Sequence, residues 1–124
     1  MNVTEFRLKL YPKDYNLVRK FYQDTLGFSV LHEWDRKDSK GVMFQVGTTV
    51  LELLYPSENS GAVSGADVSW EVEDVLRLWD QLKLSQNIAH ELRDNAWGDT
   101  SFAVYDPEGF KISFFTKHNR ATIE

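Results

Sequence analysis

The feature that most constrains this chain is that it contains its own copy. Residues 4–11, TEFRLKLY, alternate: Phe6, Leu8 and Leu10 are apolar, and Arg7, Lys9 and Tyr11 lie between or beyond them. A period of two predicts a half-buried strand. After Pro12 the spacing changes, and Tyr15, Val18, Phe21, Tyr22 and Leu26 recur at three and four, a helical stripe. Asp14 stands at the N-cap position and Gly27 at the stop. Three strand-like runs follow over 28–35, 42–46 and 50–55. The same order then returns. Strand-like ADVSWEV (66–72) precedes a helical stretch over 73–83, with Val75, Leu76, Trp79 and Leu82 on one stripe, and three further strands at 87–93, 100–105 and 110–115. Matching equivalent elements puts the copies about 60 residues apart. Arg7 maps to Asp67, Phe44 to Phe102 and Glu52 to Ser113.

A small β-α-β-β-β module covers one sheet face with its helix and leaves the other bare. Two such modules side by side predict an α+β fold, with one larger curved mixed sheet, helices outside and a concave inner face. The chain is expected to be a single domain: module 1 over 1–56, a small polar linker over 57–65, module 2 over 66–117 and a tail over 118–124. Alternation assigns Phe6, Leu8, Leu10, Leu51 and Leu53 to the layer under the first helix. Val68, Trp70, Val72, Ile112 and Phe114 go under the second. The intervening side chains then line the cavity. From module 1 these are Arg7, Lys9, Tyr11, Val50, Glu52 and Leu54; from module 2, Asp67, Ser69, Glu71, Lys111, Ser113 and Phe115.

Composition narrows the function classes. With no cysteine, disulfides, thiolate metal sites and a cysteine nucleophile are excluded. Fourteen basic residues against 19 acidic ones give a net charge of −5, and the basic residues are scattered, which argues against nucleic acid. No apolar stretch approaches a membrane span and no basic-apolar leader opens the chain, so a cytoplasmic address is the default expectation. No phosphate-cradling glycine loop and no serine elbow is present. Glu73 and Asp74 read as a helix N-terminus, where the dipole favours carboxylates.

Four segments, in order, carry a family resemblance: FYQDTLGF (21–28), VLELLYP (50–56), VSWEVEDV (68–75) and WGDTSFAVYDPEGFKISFF (97–115) with its Asp-Pro-Glu-Gly turn. Together with the duplication, the chain resembles the vicinal oxygen chelate superfamily of glyoxalases, extradiol dioxygenases and bleomycin- and fosfomycin-resistance proteins. In style it is closest to the bleomycin-resistance type. The resemblance implies four metal-ligand positions, which fall here on Arg7, Glu52, Asp67 and Ser113. A guanidinium cannot ligate a cation and a neutral serine ligates poorly. The expected cofactor is therefore none, with a divalent metal on Glu52 and Asp67 only under an enzymatic alternative. An ion cluster of Arg7 with Glu52 and Asp67 is expected to take the metal's place. The resemblance also implies a homodimer in which module 1 of one copy meets module 2 of the other.

The function expected on these grounds is metal-independent binding of an amphipathic or aromatic small molecule, with Trp97 as a pocket wall and Phe115 and Tyr11 as stacking surfaces. The partners expected are that ligand and a second copy, with neither nucleic acid nor membrane. Whether a reaction is catalysed stays open. The alternatives are a metal-dependent lyase, isomerase or dioxygenase, and a non-catalytic dimerising module. His32 and His90 fall at similar places in the two modules and His118 follows the last strand; none occupies an implied ligand position.

Overall fold

The chain is seen in a computed structural model that describes residues 1–58, 60–84 and 87–118. Its elements run β1 (Arg7–Leu10), α1 (Tyr15–Lys20), a π-helical turn (Phe21–Thr25), β2 (Ser29–Asp35), β3 (Lys40–Val46) and β4 (Thr49–Tyr55). Then come β5 (Val68–Glu71), α2 (Val75–Leu82), β6 (Asn87–Asn95), β7 (Asp99–Tyr105) and β8 (Lys111–Lys117). The β-α-β-β-β order occurs twice, as the alternation predicts. Hydrogen bonding groups the strands into two four-stranded mixed sheets, β1-β4-β3-β2 and β5-β8-β7-β6. The chain divides into two units, Met1–Ala62 and Val63–Glu124. Of the tail expected over 118–124, residues 119–124 lie outside the described residues.

In the first unit, Asp14 caps α1 by accepting from the Leu17 amide at 3.1 Å. The helical stripe does not continue as one α-helix to Leu26. After Lys20 the helix widens, and the Leu26 amide reaches back five residues to the Phe21 carbonyl at 3.0 Å. Phe21 and Tyr22 both bury there, their rings edge to face at 5.1 Å. Gly27 ends the segment with φ 73°, a conformation only glycine adopts without strain. Val18, Tyr22, Val42, Phe44, Leu51 and Leu53 form the core between helix and sheet. Phe6, expected in that layer, is 59% exposed. It precedes β1, and only its backbone is engaged, its carbonyl accepting from the Val50 amide at 3.1 Å.

The second unit repeats the plan. Asp74 caps α2 through the Arg77 amide at 3.2 Å. Val75 and Leu82 bury, and Trp79 meets Phe102 edge to face at 5.2 Å. Leu76, expected on the same stripe, is 57% exposed and lies on the water side of the helix. Ahead of β8 the Asp106 carboxylate is buried and accepts from the Glu108 and Phe110 amides at 2.9 and 3.0 Å. The acidic-Pro-acidic-Gly turn is therefore held by one carboxylate rather than by its loop backbone alone.

Strand register measures how faithful the duplication is. In the first sheet Lys9, Glu52, Met43 and His32 are successive cross-strand partners. In the second the same row reads Ser69, Ser113, Ala103 and His90. Each register shifts at the same place, between Val30 and His32 and between Ile88 and His90. The duplicated unit thus includes its bulge. The rows also correct one equivalence. Glu52 and Ser113 do correspond, but Phe44 stands opposite Leu51 where Val104 stands opposite Ile112, so Phe44 matches Val104 and not Phe102.

Candidate functional site

Alternation sends every second side chain of each sheet away from its helix. On this far face of the first sheet lie Arg7 and Lys9 of β1, Val50, Glu52 and Leu54 of β4, and, through register, Met43 and Gln45 of β3 and His32 and Trp34 of β2. Glu52 is at its centre. Strand β4 is interior, flanked by β1 and β3, and the residue is only 7% exposed. Among the described residues no ion pair reaches its carboxylate. Its oxygens are not fully enclosed, so they stay open to solvent or to a ligand on this face.

Arg7 does not supply that counter-charge. Its guanidinium pairs with Glu5, two residues earlier, and is half exposed. Glu5 holds the Arg7 group above its ordinary value, first through the hydrogen bond and then through charge, with Glu52 adding only a weak field. The expected Arg7–Glu52 cluster therefore differs from the observed pairing. Short-range geometry favours the neighbour in the leading segment over the strand across the sheet. Lys9, the register partner of Glu52, is exposed. Tyr11 lies beyond the end of β1, 36% exposed, and its carbonyl accepts from the Gly61 amide at 3.0 Å. His32 and Trp34 stack at 6.0 Å on the same face. Gly41 opposite Trp34 leaves room for the indole, and a methyl there would run into the ring.

The far face of the second sheet carries Ser69 and Glu71 of β5, Lys111, Ser113 and Phe115 of β8, Ser101, Ala103 and Tyr105 of β7 and His90 of β6. Asp67 lies ahead of β5, exposed, because the strand begins at Val68 and not at Ala66. Trp97 stands on the β6–β7 turn, 74% exposed, its indole nitrogen donating to Asp99 Oδ2 at 3.1 Å. Asn95 fixes Asp99 by donating to its Oδ1 at 2.8 Å and to Ser101 Oγ at 2.8 Å. The ring is thus held outward on a braced turn. His118 Nε2 lies 2.6 Å from Thr100 Oγ1, which donates to Asp94, and its amide donates to the Gly98 carbonyl at 2.9 Å.

The donor chemistry does not fit a metal centre of the implied kind. Of the four implied positions, Arg7 is a cation already paired, Ser113 is a hydroxyl, and Asp67 is exposed outside its strand. Glu52 alone is a usual ligand standing on its strand at the implied place. Among the described residues no group of three or more His, Asp or Glu side chains comes together as a set of ligands. His32 and Met43 in the Glu52 row escape sequence reading. The only signal is the bulge at Leu31, which returns His32 to the far face and which alternation counted without it would misplace.

A family model described as the Glyoxalase/Bleomycin resistance protein/Dioxygenase superfamily matches residues 6–114. No curated protein matches the chain. Among solved structures, TnmS3, an antibiotic binding protein from Streptomyces sp. CB03234, superposes with a TM-score of 0.76 at 18% identity, covering 94% of this chain and 98% of that one. A lactoylglutathione lyase from Agrobacterium tumefaciens gives 0.70 at 18% identity, covering 94% and 95%. A glyoxalase/bleomycin resistance protein/dioxygenase from Alicyclobacillus acidocaldarius gives 0.71 at 15% identity, covering 97% and 96%. At these identities the likeness is one of fold.

Proposed function

Because the chain belongs to the Glyoxalase/Bleomycin resistance protein/Dioxygenase superfamily, we propose that it is a small-molecule-binding protein that works without a bound metal. The observation that carries the reading is Glu52, a carboxylate 7% exposed at the centre of the first sheet's far face with no ion-pair partner among the described residues. Such a group is satisfied by a ligand that brings a hydrogen-bond donor or a positive charge. Lys9, Met43 and the His32–Trp34 stack around it offer a polar and aromatic surface to an amphipathic or aromatic molecule. On the second sheet Ser69, Lys111, Ser113 and Phe115 offer hydroxyls, a cation and a ring. Arg7, Tyr11, Asp67 and Trp97 are the outlying members of the proposed set. The likeness to an antibiotic binding protein supports this reading at the level of fold. The working form is proposed to be a homodimer in the cytoplasm.

The test is native mass spectrometry of the purified protein, coupled to elemental analysis. The expected result is a dimer free of stoichiometric zinc, nickel, manganese or iron, and an organic adduct that is lost in Glu52→Ala. Stoichiometric metal that survives a chelator, together with turnover of hemithioacetals or catechols, replaces this reading by an enzymatic one. A metal-free dimer that binds nothing replaces it by a dimerising module.

A further inference from the structure

Three adjoining depressions of about 190, 280 and 360 Å³ open in the first unit, and Lys40 lines every one of them. None of them is lined by Glu52, Lys9, Met43 or His32, and only the 190 Å³ one reaches Trp34. Lys40 begins β3 at a position two and four residues before Val42 and Phe44, on the helix side of the sheet. Its ammonium sits 4.9 Å from the ring centre of Tyr15 on α1 and 5.4 Å from that of Tyr55 at the end of β4. The two rings are 6.1 Å apart and tilted by 52°. Tyr55 is the register partner of Lys40 in β4, and Asp35 is its partner in β2.

This arrangement holds a cation still without neutralising it. Ring faces attract an ammonium but accept no full hydrogen bond from it. Among the described residues no carboxylate lies within ion-pair distance of Lys40, Asp35 included. The Glu33 carboxylate on the same face is taken by Arg19 at 2.6 Å. The local charge runs against that of the chain. Acidic residues outnumber basic ones 19 to 14 overall. The 280 Å³ depression has Arg36, Lys37 and Lys40 against Asp35 and Asp38, and the 360 Å³ one has Lys13 and Lys40 against Asp14. These two each carry one more base than acid, beside Tyr55, which is 36% exposed, while the 190 Å³ one is balanced, with Arg19 and Lys40 against Glu33 and Asp35.

The geometry points to a second ligand site here, for a small organic anion: a carboxylate on the Lys40 ammonium, with its planar apolar part against Tyr55. The rings pre-position the ammonium, so binding orders one fewer flexible side chain. The missing acceptor is what the anion supplies. This site is independent of the Glu52 reading, and either can fail without the other.

The probe is benzoate, titrated into the ¹⁵N-labelled full chain, with acetate in a parallel titration. Benzoate is expected to shift the amide signals of Lys40 and Tyr55 saturably, and acetate to bind at least about fivefold more weakly because it lacks a ring. Lys40→Gln is expected to weaken benzoate at least about tenfold, the loss of one charge-assisted bond. Lys40→Arg should retain most of the affinity, and Lys117→Gln, which removes the same charge elsewhere, should leave it unchanged. Tyr55→Leu gives a second variant that keeps the charge and should remove the preference for benzoate over acetate. An absence of saturable shifts at these amides, equal loss in Lys40→Gln and Lys117→Gln, or acetate binding as tightly as benzoate would overturn the assignment.

Discussion

Lys9 and Glu52 are register partners across the parallel pairing of β1 with β4, on the same face of the sheet, and no ion pair joins them. The lysine is exposed and the carboxylate is buried. The ammonium keeps its hydration, which a solvated lysine gives up only for good geometry. Glu52 thus stands largely buried at the centre of the far face, with no ion-pair partner among the described residues.

The first prediction follows from that placement. Glu52→Gln keeps the shape and replaces the carboxylate by an amide. The variant is expected to match the parent or to be more stable by up to about 1 kcal/mol, since no ion pair is lost with the carboxylate. The urea midpoint at constant m-value reads this directly. A loss of stability would mean that Glu52 is held by contacts that act on its charged form, and the binding argument would weaken with it.

Much of this fold is legible before any coordinates, because the duplication makes each half a check on the other. Asp14 announces the first helix start and caps as expected, while Asp74, read only as part of a helix N-terminus, turns out to be the cap of the second. What alternation cannot see is the bulge. Once one residue is inserted at Leu31, every later side chain of β2 changes face relative to an uninterrupted count, so His32 joins the Glu52 row unannounced. The Arg7 partner is hidden for a different reason. Sequence spacing orders residues within a strand, but a long guanidinium chooses among carboxylates by reach, and Glu5 is nearer along the chain than Glu52 is across the sheet. Leu76 shows a third limit. A helix of only Val75–Leu82 has room for one narrow buried stripe, and an apolar residue one position beside it falls to the water side.

Gly41 is predicted to be irreplaceable for a packing reason. A Cβ there would overlap the six-membered ring of Trp34 and would lie 2.8 Å from the Leu53 carbonyl oxygen. The backbone oxygen cannot yield, so the indole must leave its stack on His32. Gly41→Ala is expected to cost about 1–3 kcal/mol, the range for overpacking. In a background where Trp34 is the only altered tryptophan, Trp34→Phe should recover part of the loss. Thermal melts of the single and double variants make the comparison.

The Asp106 carboxylate is predicted to be the main determinant of the β7–β8 turn. It is buried and accepts from two amides, those of Glu108 and Phe110. Asp106→Ala leaves both donors without that acceptor, at an expected cost of about 2–4 kcal/mol from two charge-assisted bonds. Asp106→Asn keeps one good acceptor oxygen and should lose about half as much. Chemical denaturation separates the two variants, and hydrogen exchange should show the Phe110 amide losing protection in the alanine variant first.

The last prediction concerns pH and rests on Tyr15. The residue is 4% exposed, and its buried hydroxyl faces the Arg19 guanidinium without a hydrogen bond of good geometry. Burial pushes the phenol above its ordinary value of 10.0. The Arg19 guanidinium, already bonded to Gln23 and Glu33, pulls it back by less. The neutral form is therefore the one the fold prefers. The unfolded chain ionises first as pH rises past 10, so the folded state then binds more protons than the unfolded one, and stability falls with further increase. Below that pH the contribution of the group is complete. Tyr15→Phe removes both that hydroxyl and the titration. At pH 8 it is expected to be neutral or more stable by about 0.5–1 kcal/mol, the scale of an unsatisfied hydroxyl relieved. Above pH 10 the gap in its favour should widen, because only the parent chain still has this group to ionise. Urea midpoints for both chains at pH 8 and pH 10.5 measure the difference, and a gap that stays constant would show that the Tyr15 phenol ionises in the fold as readily as in the open chain.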